Sequence, residues 1–299
     1  MKTLLTGCSG LVGNALIEYL FARGHSIQCL KRNRESQPDH FWATQSLPAE
    51  REYEFDAVIH LAGENVAQGR WTAEVKKRIL ESRVVGTRKL VDFISQLAHK
   101  PKVFLCASAV GYYGNGEDRI FDENSSSGEG FLADVCRQWE KETERLSSMG
   151  VRVVNLRFGM ILSPRGGALH KMIPPFKLGL GGTIGSGRQY LSWISIRDVV
   201  AIVDFLMEKS QITGAVNMVS PIAATNKELT EGLGKALNRP AFLKVPAPLV
   251  KLIFGRMAEE MLLSSTRVTP KVLLESGYGF QDQSLDAVLR YCLAERATQ

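Results

Sequence analysis

The chain has 299 residues, of which 44% are hydrophobic and 23% charged, and carries a formal net charge of +6. This balance is ordinary for a soluble globular protein and excludes fibrous and intrinsically disordered classes. The positive excess does not indicate nucleic acid: its densest run, Lys76-Lys77-Arg78, lies opposite a helical stripe of Val75, Ile79, Gly86 and Leu90, so it is a solvated helix face and no nucleic-acid motif accompanies it.

In chain order, residues 2–6 form an apolar strand signal and 11–23 a helix ended by Gly24. Between them stands Thr6-Gly7-Cys8-Ser9-Gly10-Leu11-Val12-Gly13, a glycine triplet at a strand-to-helix turn. There Gly7 permits the tight turn, Gly10 lets the backbone approach a pyrophosphate, and Gly13 lets the helix pack closely on the strand. The helix start adjoining Leu11 and Val12 supplies free N–H groups to the anion.

A second strand over 26–31 ends in Lys31-Arg32-Asn33-Arg34. A dinucleotide without a 2′-phosphate calls for a carboxylate at this tip to bind the ribose hydroxyls, whereas a 2′-phosphate calls for a cation. Lys31 and Arg32 therefore point to NADP(H), with Arg32 the best candidate for a two-pronged phosphate contact.

Further strands are expected over 57–62, 103–108, 151–158 and 215–218, with helices over 73–98 and 131–149 between them. Alternation of this kind implies an α/β fold, a Rossmann-type doubly wound parallel sheet linked by right-handed crossovers. From Pro164 the pattern gives way to Gly- and Pro-rich loops, helical periodicity returns at Asp198, and helices over 227–237, 248–263 and 285–294 suggest a smaller C-terminal substrate lobe. The division expected is a cofactor-binding domain over 1–215, carrying substrate-lobe loops from about 164, and a C-terminal lobe over 216–299 that includes a helical appendage.

The five cysteines (Cys8, Cys29, Cys106, Cys136 and Cys292) are odd in number and never form a CxxC pair, which favours a reducing compartment without disulfides. The five histidines show no i, i+4 pair for a metal, so no metal site is expected. No segment approaches the roughly 20 apolar residues that span a bilayer, and the N-terminal apolar run stops at Gly7, too short for a signal peptide. A cytoplasmic protein without a membrane partner is expected.

With the glycine turn in place, the chain resembles the extended, nucleotide-sugar-epimerase branch of the short-chain dehydrogenase/reductase superfamily. Asp56-Ala57-Val58-Ile59-His60-Leu61-Ala62-Gly63 is similar to the strand passing beneath the cofactor, and Ala107-Ser108-Ala109-Val110-Gly111-Tyr112-Tyr113-Gly114 to the segment with the active-site serine. Leu61-Ala62-Gly63-Glu64-Asn65, Tyr112-Tyr113-Gly114, Leu178-Gly179-Leu180-Gly181-Gly182 and Ala224-Thr225-Asn226 resemble an atypical epimerase-like subgroup with a C-terminal appendage, here around 248–292. The resemblance implies that Leu61 and Ala62 border the adenosine side of the cofactor, that Arg83 approaches it from the long helix, and that Met160 lies near the nicotinamide. His60 is a packed strand histidine rather than a base.

The superfamily's Tyr-x-x-x-Lys pair is missing: alignment puts Leu132 and Cys136 at its two positions. Ser108 remains able to bond a carbonyl or hydroxyl, and Tyr112 and Tyr113 are the alternative acids, although no lysine accompanies them. Two functions stay open at this point. One is an NADP(H)-dependent oxidoreductase or epimerase acting on a small molecule, with a nucleotide sugar as one candidate; the other is a non-catalytic NADP(H)-binding sensor or interaction module. A homodimer is one candidate assembly, which the sequence does not fix.

Overall fold

The computed structural model describes residues 1–30, 53–67 and 69–297. Its first half runs β1 (Lys2–Thr6), α1 (Leu11–Ala22), β2 (Ser26–Leu30), β3 (Ala57–His60), α2 (Ala73–Gln96), β4 (Val103–Ala109), β5 (Ile120–Phe121), α3 (Phe131–Ser147) and β6 (Arg152–Phe158). The second runs β7 (Met160–Ser163), α4 (Gly167–Lys177), β8 (Gly182–Ile184), β9 (Tyr190–Leu191), β10 (Trp193–Ser195), α5 (Ile196–Glu208), β11 (Gly214–Met218) and β12 (Ala224–Thr225). It ends with α6 (Asn226–Leu237), β13 (Leu243–Val245), α7 (Ala247–Phe254), β14 (Arg267–Val268), α8 (Lys271–Glu275) and α9 (Leu285–Ala297).

Six parallel strands form the central sheet in the order β11-β6-β4-β3-β1-β2. Because side chains alternate along a strand, Leu5, Ile59, Leu105 and Val154 enter one apolar layer, and Leu4, Val58, Phe104 and Val153 the other. Helices α1 and α5 supply Leu16, Leu20, Val199 and Leu206 to the first layer. Helices α2 and α3 supply Leu90, Ile94, Trp139 and Leu146 to the second. The fold is thus the expected Rossmann-type doubly wound sheet. Strand order reverses between β1 and β3, and such a switch point opens a crevice at the carboxyl ends of the strands.

His60 sits inside this sheet, fully buried, with Nδ1 2.6 Å from the Thr6 hydroxyl and Nε2 3.0 Å from that of Thr87. Burial, aided by the Arg83 charge, lowers its pKa from 6.5 to about 3. Below pH 6.5 the unfolded chain takes up a proton that the folded chain refuses, so the fold loses stability as pH falls from about 6.5 toward about 3. The expected slope is up to about 1.4 kcal/mol per pH unit from this one group. Urea melts of wild type and His60→Asn at pH 7, 6 and 5 measure it; parallel pH dependences in the two proteins would rule it out.

A second apolar cluster joins Leu169, Ile173 and Phe176 of α4 to Leu229 and Leu233 of α6, Val288 and Leu289 of α9, and Trp193. This is the core of the smaller lobe. Helix α4 departs from the sequence reading, which placed loops here: residues at i, i+4 and i+7 spacing bury one face although Pro174 and Pro175 lie inside the helix. The helix expected over 248–263 is likewise shorter. It stops at Phe254, where Gly255 takes φ +59, and a single π-type turn follows over Ala258–Leu262.

The C-terminal segment is tied to the sheet through Asp198, 1% exposed in the first turn of α5. Its carboxylate accepts hydrogen bonds from the Tyr278 hydroxyl and the Gln281 and Asp282 amides, each at 3.0 Å. A further difference concerns the cysteines: Cys8 and Cys29 form a disulfide. Register explains the proximity, since Cys29 pairs with Leu5 across β1 and β2 and Cys8 lies just past the end of β1. Among the described residues no helix is long and apolar enough to cross a membrane.

Candidate functional site

The crevice at the switch point is floored by the glycine turn. Gly7 takes φ +77, and a Cβ there would lie 2.9 Å from the carbonyl carbon and oxygen of Leu61. At Gly13 a Cβ would lie 2.2 Å from the Gly7 carbonyl oxygen, so helix and strand approach as only glycine allows. Gly10 caps α1 without a side-chain bond, and the first turn contains no acidic residue. The amides of that turn, Leu11, Val12 and Gly13, therefore have no intrahelical acceptor and stand at the positive end of a 12-residue helix. This cradle fits a pyrophosphate.

Leu61 and Ala62 continue from β3 directly against Gly7. Arg83 reaches the same edge from α2: a Cβ on Gly63 would be 3.1 Å from its Cζ, and the guanidinium lies 5.0 Å over the Trp139 ring. Its hydrogen bonds go to the Ile79 carbonyl and the Ser82 hydroxyl. Burial pushes Arg83 below its ordinary pKa, and no carboxylate is within ion-pair distance among the described residues. Met160 opens β7 beyond the end of β6, with its amide bonded to the Ser192 carbonyl at 2.8 Å. Lys31 and Arg32 lie outside the described residues.

Ser108, near the end of β4, is 3% exposed and donates to Glu140 Oε1 at 2.6 Å. Glu140 stands on α3, gripped by Arg157 of β6 through Nε–Oε1 and Nη2–Oε2 contacts of 2.8 Å each. Burial alone would lower the Arg157 pKa; the bonds and charge of Glu140 outweigh it and hold Arg157 above its ordinary value. The remaining Arg157 nitrogen, Nη1, donates to the Tyr113 hydroxyl at 2.9 Å, which in turn donates to Asn217 Oδ1 at 2.7 Å.

Tyr112 and Tyr113 share a short 3-10 turn but differ in setting. Tyr113 is 1% exposed, and burial, opposed by Arg157, pushes its pKa up to about 12. That hydroxyl braces Arg157 and is sealed from the crevice. Tyr112 is half-buried, with the Arg157 guanidinium stacked 3.5 Å from its ring centre. Leu132 and Cys136, where the resemblance expects tyrosine and lysine, close the apolar side. Leu132 packs toward Gly111, and the buried Cys136 thiol donates to the Ala109 carbonyl at 3.7 Å, its pKa pushed up to about 11 by burial.

Sequence reasoning missed Glu140 and Arg157. Arg157 is a charged residue in a strand rich in Val and Leu and is itself buried, and a cation there requires an anionic partner. Glu140 hides in the charged run of α3, and its pairing with Arg157 needs the packing of that helix on β6, while the parallel register of β4 and β6 sets Ser108 beside Arg157.

Residues 3–218 match the NAD dependent epimerase/dehydratase family, and residues 245–292 match a domain of unknown function, DUF1731. An epimerase family protein of Mycobacterium bovis is 39% identical over 290 residues, covering 96% of each chain. The human epimerase family protein SDR39U1 is 35% identical, covering 98% of this chain and 100% of its own. The crystal structure of human SDR39U1 with NADPH superposes with a TM-score of 0.89 over 98% of this chain and 99% of that one, at 34% identity.

Proposed function

The chain belongs to the NAD dependent epimerase/dehydratase family, and on that footing we propose that it binds NADP(H) and acts as an oxidoreductase or epimerase on a small molecule, a nucleotide sugar being the candidate class. The observation carrying this reading is an uncapped glycine turn at the sheet's switch point with the buried cation Arg83 beside it, which has no carboxylate within ion-pair distance among the described residues. The human relative crystallised with NADPH supports the choice of dinucleotide. In this proposal Gly7, Gly10, Leu11, Val12 and Gly13 hold the pyrophosphate, Leu61 and Ala62 the adenosine side, Lys31 and Arg32 the 2′-phosphate, and Met160 the nicotinamide end. Arg83 offsets charge between them. When bound, the dinucleotide supplies a hydride acceptor or donor; Ser108 and Tyr112 face the substrate, with Tyr113 behind them.

A cytoplasmic location and a homodimer belong to the same proposal, as does a division of labour between residues 1–215 and 216–299. A cytoplasmic setting would place the Cys8–Cys29 bond within reach of thiol reductants.

NADPH at about 100 times its dissociation constant is expected to stabilise the fold by roughly 2.7 kcal/mol. NADH at the same concentration should stabilise it less, and Arg32→Ala should narrow the gap. Thermal melts with both dinucleotides test this, and equal shifts would contradict the preference. Absence of the Tyr/Lys pair favours a second reading, a non-catalytic NADP(H) sensor or interaction module. Tight NADPH binding without turnover on sugar nucleotides, aldehydes, ketones or alcohols would select that reading.

A further inference from the structure

We propose that Ser108 and Glu140 form a two-member proton path, so that the site takes its substrate by a hydroxyl group and removes that hydroxyl's proton through Ser108 to Glu140. This rests on the reading of the site as an NADP(H)-dependent oxidoreductase or epimerase and adds which of its residues carry the substrate's proton where the Tyr/Lys pair is missing.

Hydrogen-bond polarity carries the argument. An ionised carboxylate only accepts, so in the 2.6 Å contact the Ser108 hydroxyl must be the donor. Serine has one hydroxyl proton, and Glu140 engages it. What Ser108 can offer a ligand is its lone pairs, which suit a substrate O–H and not a carbonyl oxygen. Arg157 holds the Glu140 carboxylate, its planar fork meeting both oxygens at 2.8 Å. The other titratable groups whose charge is coupled to Glu140 are Cys106 of β4 and Cys136 of α3. Burial raises both thiols, which stay neutral and leave the Arg157 charge as the one that touches the carboxylate.

In the step, the substrate O–H bond breaks and its proton bonds to Ser108 Oγ. The proton already on Ser108 passes to Glu140 Oε1, and the electron pair stays on the substrate oxygen. The net change is one proton from substrate to Glu140, with Ser108 restored. A carboxylate held by arginine is too weak a base to generate a free alkoxide. When bound, the oxidised dinucleotide would take up the hydride that leaves the same carbon, and the contribution of this chain's own residues is the proton path. Ser108 is the catalytic residue of this step, and Glu140 the positioning residue behind it.

The test uses the full chain with NADP+ and a panel of secondary alcohols that includes UDP-glucose, following NADPH absorbance. Glu140→Gln should lower kcat by about 10²- to 10⁴-fold, the range of positioned acid–base groups, while KM and the NADPH dissociation constant change less than about threefold. Glu140→Asp, which keeps the charge, should recover part of the rate. Because Glu140→Gln can weaken the fold, the carboxyl ¹³C signal of Glu140 is also followed from pH 5 to 8 in wild-type protein with NADP+ bound. An ionised signal at pH 7 is expected. A protonated Glu140 at pH 7, or a folded Glu140→Gln protein with wild-type kcat, overturns the path while leaving the oxidoreductase reading intact. A wild-type protein that binds NADP+ but oxidises nothing in the panel overturns that reading and the path with it.

Discussion

Arg157→Met is expected to lower the unfolding free energy by about 3–5 kcal/mol, the usual cost of removing one partner from a buried ion pair. The side chains of Arg157 and Glu140 are only 5% and 14% exposed, so the surviving carboxylate would have little water to replace the guanidinium. Two further contacts disappear with it: the donor to the Tyr113 hydroxyl and the flat cation over the Tyr112 ring. The pair need not be net stabilising against an apolar alternative, and this separates the cost of breaking it from its worth. Arg157→Met combined with Glu140→Leu should recover much of the loss, giving a coupling energy that urea denaturation of the two singles and the double reads directly. A single variant losing under about 1 kcal/mol would mean that water already reaches the carboxylate.

Gly13→Ala should raise the dissociation constant for NADPH by at least about 100-fold, equivalent to about 2.7 kcal/mol, and also lower the melting temperature. A methyl 2.2 Å from the Gly7 carbonyl oxygen and 2.9 Å from the Cys8 Cα meets backbone on two sides, so α1 must slide away from β1. Sliding would withdraw the amides of Leu11, Val12 and Gly13 from the pyrophosphate they are proposed to hold. Gly10→Ala is the graded control, because its Cβ would meet only the Gly7 oxygen, at 3.2 Å. Calorimetric titration of both variants with NADPH should rank Gly13 above Gly10. Binding by Gly13→Ala within threefold of wild type would mean that the turn does not hold the dinucleotide.

Elements with a local signature were legible in the sequence. Strands β1, β4 and β6 are apolar runs and α2 and α3 are long amphipathic stretches, so the doubly wound sheet follows from their alternation. Helix α4 escaped because Pro174 and Pro175 oppose helix locally, while the burial of Leu169, Ile173 and Phe176 that overrides them is tertiary. Of the site, the glycine turn and Ser108 were legible because each occupies a fixed place relative to a strand end. The Glu140–Arg157 pair was not, since its two halves come from different elements and meet only where α3 packs on β6. The Cys8–Cys29 bond has the same character, depending on pairing between β1 and β2 and on no spacing rule. Lys31 and Arg32, which carried the reading of cofactor preference, lie outside the described residues.

The anchoring of Asp198 determines how the chain can be cut. The two family matches, 3–218 and 245–292, suggest a module with an attachment, yet the carboxylate in the first turn of α5 takes three of its donors from residues 278, 281 and 282. A fragment ending before the second match would retain a carboxylate in a pocket shaped for partners it no longer has, and would expose the apolar faces of α4 and α6 that α9 covers. The two matched regions are therefore expected to melt as one cooperative unit, giving a single transition in calorimetry. Grafting the C-terminal region onto another sheet would require bringing an Asp198 equivalent with it.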